Sequence, residues 1–297
     1  MGYLEIENLY KDTRILLFKE CWATEKIHGT TAWIAYNGDP ANPQLQYHPG
    51  GAKYDMFVAL FNDANLKAKF VELFGNKPVK IHGEHYGGKI QGMSSTYGTL
   101  NKFAVFDFKV GDTWLSFDKV QTLSKQFELE CVDGTIIPAT IEALNTERDK
   151  PSVQAVRNAI LEPRPREGIV IRPLIELTDN NGKRIITKHK GDAFRETSTP
   201  RDITPEQLKV LTDAEAIADE WVTPMRLNHV IDTLIVQLAS TKAIGIDISN
   251  TGDVIKIMVA DIEKESKGET IITPEVKKAI GKRTSKLFHD SLKGEFK

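Results

Sequence analysis

The strongest constraint on the fold is a change of pattern near residue 200. Before it, short β-rich runs bounded by glycine or proline follow one another: "AWIAYNG", "KPVKIHGEHYGG", "NKFAVFDFKVGD" and "REGIVIRP". After it, each of three Thr-Pro pairs has the pattern of a helix N-cap followed by proline at the first helical position: Thr204-Pro205, Thr223-Pro224 and Thr273-Pro274. The pattern predicts an α+β domain over residues 1–200, with mainly antiparallel sheets and flanking helices, and an all-α domain over residues 201–297.

The spacing of apolar residues predicts individual helices. "DMFVALFNDANLKAKFVELFG" has helical spacing and stops at Gly75, a typical C-terminal cap. The segment that begins at Pro224 places six apolar side chains on one helical face, which predicts that they form a core: Leu227, Val230, Ile231, Leu234, Ile235 and Leu238.

Composition excludes several classes of protein. With 297 residues, 40% of them apolar and 27% charged, the chain is typical of soluble globular proteins. It has no apolar run long enough for a membrane helix, and residues 1–14 contain no apolar secretory segment. The two cysteines, Cys21 and Cys131, lie far apart without a CxxC pattern, which favours free thiols in a reducing compartment. We therefore expect a cytoplasmic monomer (in the host cytoplasm if the chain is viral) with no membrane partner.

Net charge bears on nucleic-acid binding. At −2 the chain has no globally basic body, so a nucleic acid would have to bind local patches. Two basic clusters are present, and solvated faces remain the alternative interpretation of both. They are Lys183, Arg184, Lys188, Lys190, Arg195 and Arg201, and then Lys277, Lys278, Lys282, Arg283 and Lys286.

The first two segments that could take part in catalysis or binding contain a lysine and a glutamate. Lys26, in "EKIHG", is a candidate covalent nucleophile because Gly29 would let the backbone approach a ligand closely, although an ordinary lysine at a strand end gives the same pattern. Glu84 stands between glycines after an apolar strand, where its carboxylate is suited to a ribose hydroxyl or simply to solvent.

Three further segments follow along the chain. Phe106, in "FAVFDF", could stack on a base or belong to the core. Glu167 directly precedes the strand "GIVIRP", where a carboxylate could hold hydrated Mg²⁺ near phosphates. Lys188 and Lys190 alternate along a strand and so share one face, and such a like-charge pair fits a polyphosphate or, alternatively, an exposed edge strand defended by lysines.

The order of these parts resembles that of the covalent nucleotidyltransferases, which comprise ATP-dependent ligases and mRNA-capping guanylyltransferases. Lys26-Ile27-His28-Gly29 is similar to their motif I, K-x-[DH]-G, while "GEHYGG", "FAVFDF", "EGIVIRP" and "ITKHKGDAF" are similar to motifs III, IIIa, IV and V. Histidine at position 28, preceded by Glu25, resembles the RNA ligase 2 family. The segment "EWVTPMRLNHVI" is similar to the start of that family's C-terminal helical domain.

The resemblance implies an ATP-dependent RNA ligase that joins 3′-hydroxyl and 5′-phosphate RNA ends in a nicked or bridged duplex, with Mg²⁺ or alternatively Mn²⁺. It implies that the nucleotide contacts motif I, including Ile27 and Gly29. The other implied roles are nucleophile for Lys26, α-phosphate neutralisation for Lys188 and Lys190, metal binding for Glu167, ribose binding for Glu84, adenine stacking for Phe106, adenine amino recognition for Glu25 and a place near the phosphates for His28.

Two departures leave alternatives open. Thr31 replaces the usual asparagine after motif I, and the region in which the family carries an arginine offers only Lys53. A DNA ligase with the same chemistry therefore remains an alternative, as does a catalytically silent module that binds nicks. A capping enzyme fits less well, because the C-terminal part has the pattern of helices and not of a β-rich domain.

Overall fold

A computed structural model describes residues 2–199, 214–239 and 246–293. The chain divides into two compact units, Met1–Ala193 and Phe194–Lys297. The boundary predicted at residue 200 stays a prediction, because residues 200–213 lie outside the described ranges, as do the helix start predicted at Thr204-Pro205 and the basic residue Arg201.

The first unit contains eleven strands and six α-helices among its described residues. The strands are β1 Glu7–Asn8, β2 Glu20–Lys26, β3 Thr30–Tyr36, β4 Leu45–His48, β5 Val79–Tyr86, β6 Lys102–Val110, β7 Thr113–Trp114, β8 Glu130–Cys131, β9 Gly134–Pro138, β10 Gly168–Arg172 and β11 Thr187–Lys190. The helices are α1 Tyr54–Val58, α2 Asp63–Phe74, α3 Ser94–Tyr97, α4 Phe117–Phe127, α5 Ile141–Arg148 and α6 Val153–Arg157.

Two mainly antiparallel sheets organise this unit. The first has the order β1-β11-β10-β2-β9, and the second has the order β4-β3-β5-β6-β7 with β8 paired to β6. Only the β1–β11 and β6–β8 pairs, among the described strands, are parallel. In the second sheet, alternation along β3 buries Ala32, Ile34 and Tyr36 in one core with Phe70 of α2 and the buried side chains of α4, and leaves Thr31 on the opposite face.

The helical segment that ends at Gly75 forms two helices where the spacing predicts a continuous one. Asn62 interrupts it, because its side-chain oxygen accepts a hydrogen bond from the Asn65 N–H at 3.1 Å and so caps the start of α2. The end of α2 at Gly75 is as predicted.

The described part of the second unit has helices and no strand: α7 Ala214–Trp221, α8 Pro224–Ala239, α9 Thr251–Glu265 and α10 Pro274–Leu292. The threonine hydroxyls of the two described Thr-Pro pairs cap α8 and α10 as predicted, by accepting from backbone N–H groups three residues on. The fold class is thus the predicted mixture of antiparallel α+β and a helical C-terminal region.

The predicted apolar face of α8 is correct except at its edge. Leu227, Val230 and Leu234 are buried in the core of the second unit, whereas Ile235 is 46% exposed. Ile235 lies about 80° around the helix from the centre of that face, which is too far to reach the core. No described helix has the length and apolar character that crossing a bilayer requires.

Candidate active site

Strand register places three lysines on one face of the first sheet. Gly168, at the start of β10, pairs with Lys26 on β2 and with Lys190 on β11, so the two lysines flank it. Val170, two residues further along β10, pairs with Lys188. Directly paired residues share a face, so Lys26, Lys188 and Lys190 project from the same side of the sheet, and the alternation predicted for β11 is correct.

Glu167 is the centre of the charged cluster. Lys26 Nζ lies 2.7 Å from its Oε2, His28 Nδ1 lies 3.2 Å from the same oxygen, and Lys190 Nζ lies 3.4 Å from Oε1. Burial alone would raise the pKa of Glu167, but the charges of Lys26 and Lys190 outweigh it and hold the pKa well below its ordinary value. Glu167 is therefore a carboxylate at neutral pH, in contact with the candidate nucleophile.

Glu84 approaches motif I from the second sheet. Its Oε1 accepts a hydrogen bond from the Gly29 N–H at 3.0 Å. A Cβ on Gly29 would lie 2.5 Å from the His85 carbonyl oxygen and 2.8 Å from Tyr86 Cβ, so only glycine lets this turn pack against β5. Loss of hydration raises the pKa of Glu84 to about 8, with Lys26 opposing the rise.

A cavity of about 180 Å³ lies between the two sheets. Six residues predicted at the site contribute to its lining: Glu25, Lys26, Ile27, Glu84, Phe106 and Lys188. The other four adjoin this set: Gly29 through its bond to Glu84, and His28, Glu167 and Lys190 through the charged cluster. Phe106 is only partly buried and meets Tyr3 edge-on at 4.9 Å between ring centroids, so part of the ring faces the cavity.

The Glu25 carboxylate is engaged by the start of α6. It accepts hydrogen bonds from the Ser152 hydroxyl at 2.5 Å and from the backbone N–H groups of Val153 at 2.9 Å and Gln154 at 3.2 Å. Side chains alternate along β2, so Glu25 points to the opposite face from Lys26. The prediction that its side chain reads the adenine amino group does not fit this geometry, because both oxygens already bind the start of α6.

Thr31 and Lys53, which mark the two departures from the motif pattern, are both exposed. Thr31 is exposed at the cavity and pairs with Glu84 across β3 and β5. Lys53 is exposed just before α1. Its loop contacts the residue that follows motif I, because the Gly51 N–H donates a hydrogen bond to Thr30 Oγ1 at 2.7 Å.

Sequence reasoning missed a second polar cluster beside the cavity. Tyr3 and Arg172 line the cavity, and both meet Asp107, with the Tyr3 hydroxyl 2.7 Å and Arg172 Nη1 3.4 Å from its Oδ2. Arg184 Nη1 lies 2.6 Å from the same oxygen. Single charged residues in the apolar strands "FAVFDF" and "GIVIR" are the signal that could have found this cluster, because a charge buried in a strand needs a partner.

Comparison with known proteins gives the family. A model of the RNA ligase family matches residues 19–190, and no curated protein matches the chain. Three structures of a Naegleria gruberi RNA ligase are similar to part of this chain: the ligase with PPi, one mutant with ATP and Mn, and another with AMP and Mn. Each has a TM-score of 0.48 and 18% or 19% identity over 65% of this chain, and the chain spans 57% of the ligase's length. Because the family model covers more than half of the chain, the protein belongs to the RNA ligase family.

Proposed function

We propose that the protein is an ATP-dependent RNA ligase that works through a lysyl-AMP intermediate on Lys26. The observation that carries the proposal is the position of Lys26, which lines the cavity and lies in the charged cluster with Glu167 and Lys190. Family membership supports the substrate class, and the cavity offers an aromatic ring and a carboxyl group for a nucleoside. We propose 3′-hydroxyl and 5′-phosphate RNA ends in a duplex or on a complementary strand as the acceptors.

In the first step, the neutral amine of Lys26 attacks the α-phosphorus of ATP. The Nζ–P bond forms, the bond to the bridging oxygen breaks, and pyrophosphate leaves. Glu167 stays ionised because of its low pKa, so solvent takes the proton that Lys26 loses. Lys188 and Lys190, on the same sheet face as Lys26, offset negative charge on the phosphates, and this charge neutralisation is the main source of rate in phosphoryl transfer.

Two further transfers complete the reaction. An oxygen of the 5′-phosphate attacks the AMP phosphorus, the Nζ–P bond breaks, and AMP passes to the RNA end. The 3′-hydroxyl oxygen then attacks the phosphorus of that end and loses its proton to solvent, the bond to the bridging oxygen breaks, and AMP leaves as the phosphodiester forms. In each step the protein holds the reacting groups in line, which is the entropic part of catalysis.

The metal site would be shared with the nucleotide. Among the described residues no group of three or more His, Cys, Asp or Glu side chains could enclose an ion. Mg²⁺ is commonly held by one or two carboxylates together with water and substrate phosphates, and Glu167 fits that requirement. A bound Mg²⁺, or Mn²⁺ in its place, would supply charge neutralisation at the phosphates.

Within the site we propose that Phe106 stacks on adenine, Glu84 accepts a hydrogen bond from the ribose, and the Ile27–Gly29 turn adjoins the nucleotide. The geometry supports a positioning role for Glu25, which fixes the end of β2 against α6. It supports the same for His28, which contacts Glu167.

Intact-protein mass after incubation with ATP and Mg²⁺ tests the proposal. The wild-type protein is expected to gain one AMP, and Lys26→Ala to gain none because the nucleophile is missing. Lys19→Ala removes an exposed lysine just before the same strand and serves as the matched control that keeps the gain. Absence of the gain in wild-type protein freed of bound AMP would favour a silent nick-binding module.

Nicked duplexes then separate the two ligase alternatives. With a 3′-hydroxyl RNA end at the nick, the adenylylated protein is expected to join the strands faster than with a DNA end. A clear preference for DNA ends would contradict the RNA part of the proposal and leave the lysyl-AMP chemistry standing.

A further inference from the structure

The outward face of α10 carries a regular row of lysines. Lys278, Lys282 and Lys286 are all exposed and are four residues apart, so they lie above one another on one side of the helix. The opposite side packs into the core of the second unit through five buried residues: Val276, Ala279, Ile280, Thr284 and Phe288. We call Lys278, Lys282 and Lys286 the α10 lysine row.

The other cations of α10 are neutralised by neighbouring helices. Lys277 Nζ lies 2.7 Å from Glu263, and Arg283 Nη1 lies 2.5 Å from Asp219. No acidic side chain within the described ranges forms an ion pair with a member of the α10 lysine row. Like charges four residues apart repel one another on a helix, so an anion along the row would relieve that repulsion.

The spacing of the row fits a polymeric anion. Four residues of α-helix rise about 6 Å and turn about 40° past a full turn, so the row presents three positive charges at even intervals along an inclined line on one side of the helix. A nucleic-acid strand presents its phosphates in the same repeating manner. A membrane surface is a poorer match, because interfacial helices combine basic residues with a large exposed apolar face. The apolar face of α10 is the one buried in the core.

We propose that the α10 lysine row binds the phosphodiester backbone of the nucleic acid whose ends the protein joins. The identity of that nucleic acid as RNA rests on the function proposed above. Contacts of this kind fix the position of a duplex without reading its sequence, and they weaken as the salt concentration rises, because binding releases counterions from the backbone.

The test compares two triple variants with the same change of charge. The first is Lys278→Gln/Lys282→Gln/Lys286→Gln. The control is Lys77→Gln/Lys119→Gln/Lys125→Gln, which removes three exposed lysines of the first unit. Two of these lie on α4, on the opposite side of the second sheet from the cavity. Fluorescence anisotropy gives the affinity of each full-length protein for a nicked RNA duplex without ATP, over about 50 to 200 mM salt.

The wild-type affinity is expected to fall with salt along a straight line on logarithmic axes. In the row variant the slope should be smaller by about 3, one for each lysine, whereas the control variant should keep the wild-type slope. Replacing the same three lysines by arginine should also keep it. Each single Lys→Gln variant should lower the slope by about 1, which keeps the test informative if the triple variant folds poorly.

An unchanged slope in the row variant, or an equal loss in the control, would overturn the proposal. Stronger binding of wild-type protein to anionic phospholipid vesicles than to the duplex, lost in the row variant, would also overturn it. AMP gain on Lys26, which involves no nucleic acid, is measured alongside. A smaller slope in the row variant without AMP gain in the wild-type protein would support the docking surface and contradict the ligase function. AMP gain with an unchanged slope would support the ligase function and contradict the docking surface.

Discussion

At the scale of single residues, Glu84 links stability to pH. Its pKa is raised from an ordinary value of 4.5 to about 8, so the folded protein holds a proton that the unfolded chain releases between these values. The contribution of Glu84 to the free energy of unfolding therefore falls as pH rises through this window and levels off above about pH 8. Glu84→Gln cannot titrate but keeps an oxygen for the Gly29 N–H.

We therefore expect Glu84→Gln to gain stability relative to wild type as pH rises from 5 to 8. Chemical denaturation at several pH values measures this gain, and the exposed Glu142→Gln variant gives the effect of removing an ordinary carboxyl group. A stability difference that does not change with pH would contradict the prediction.

Lys26 and Glu25 show how far the local sequence pattern around motif I predicts the role of a residue. The motif pattern is enough to select Lys26 as the candidate nucleophile, and its position in the cavity agrees with that choice. Glu25, one residue earlier, received a nucleotide-binding role from the same pattern, although alternation along β2 turns its carboxylate towards α6. The alternation rule that correctly placed Lys188 and Lys190 was available for Glu25 as well.

At the scale of elements, the close approach of β10 and β11 determines the positions of Lys188 and Lys190 relative to Lys26. A Cβ on Gly168 would lie 2.2 Å from the His189 carbonyl oxygen and 2.8 Å from Lys190 Cα, both of them backbone atoms. Gly168→Ala is therefore expected to push β11 away and to move Lys188 and Lys190 relative to Lys26.

We expect Gly168→Ala to destabilise the fold by about 1–3 kcal/mol and to slow AMP gain by up to about 100-fold, because a small displacement of charged groups costs much rate. Thermal unfolding and the rate of AMP gain measure the two effects. Gly252→Ala is the matched control, since nothing lies within 4 Å of its Cβ position and Ala is favoured in a helix. A normal rate in Gly168→Ala would show that the register of β11 tolerates the added methyl group.

At the scale of the whole molecule, each unit has its own hydrophobic core. One core contains Phe57, Phe70 and Phe108, and the other contains Trp221 and Phe288. Since every residue proposed for nucleotide chemistry lies in the first unit, a fragment of residues 1–200 is expected to unfold cooperatively and to gain AMP. It should bind the nicked duplex more weakly than the full chain, because it lacks the α10 lysine row.

Circular dichroism with denaturant, AMP gain and anisotropy test the fragment, with Lys26→Ala in the same fragment as the control. A fragment that is folded but gains no AMP would show that adenylylation needs the second unit.

Features that depend on local order could be predicted from the sequence alone. Strand and helix patterns gave the fold class, Thr-Pro pairs marked the described starts of α8 and α10, and the order of short motifs gave the set of candidate site residues. These signals are short in range, because alternation, capping and helical periodicity each act over a few residues.

Which of those residues lie in contact depends on the tertiary structure. Lys26 and Glu167 are 141 residues apart in the chain and 2.7 Å apart in space, and Tyr3 meets Asp107 across 104 residues. Such pairs depend on sheet register and on the packing of one sheet against the other. No local pattern records either property, since the energy that fixes them comes from burying distant segments together.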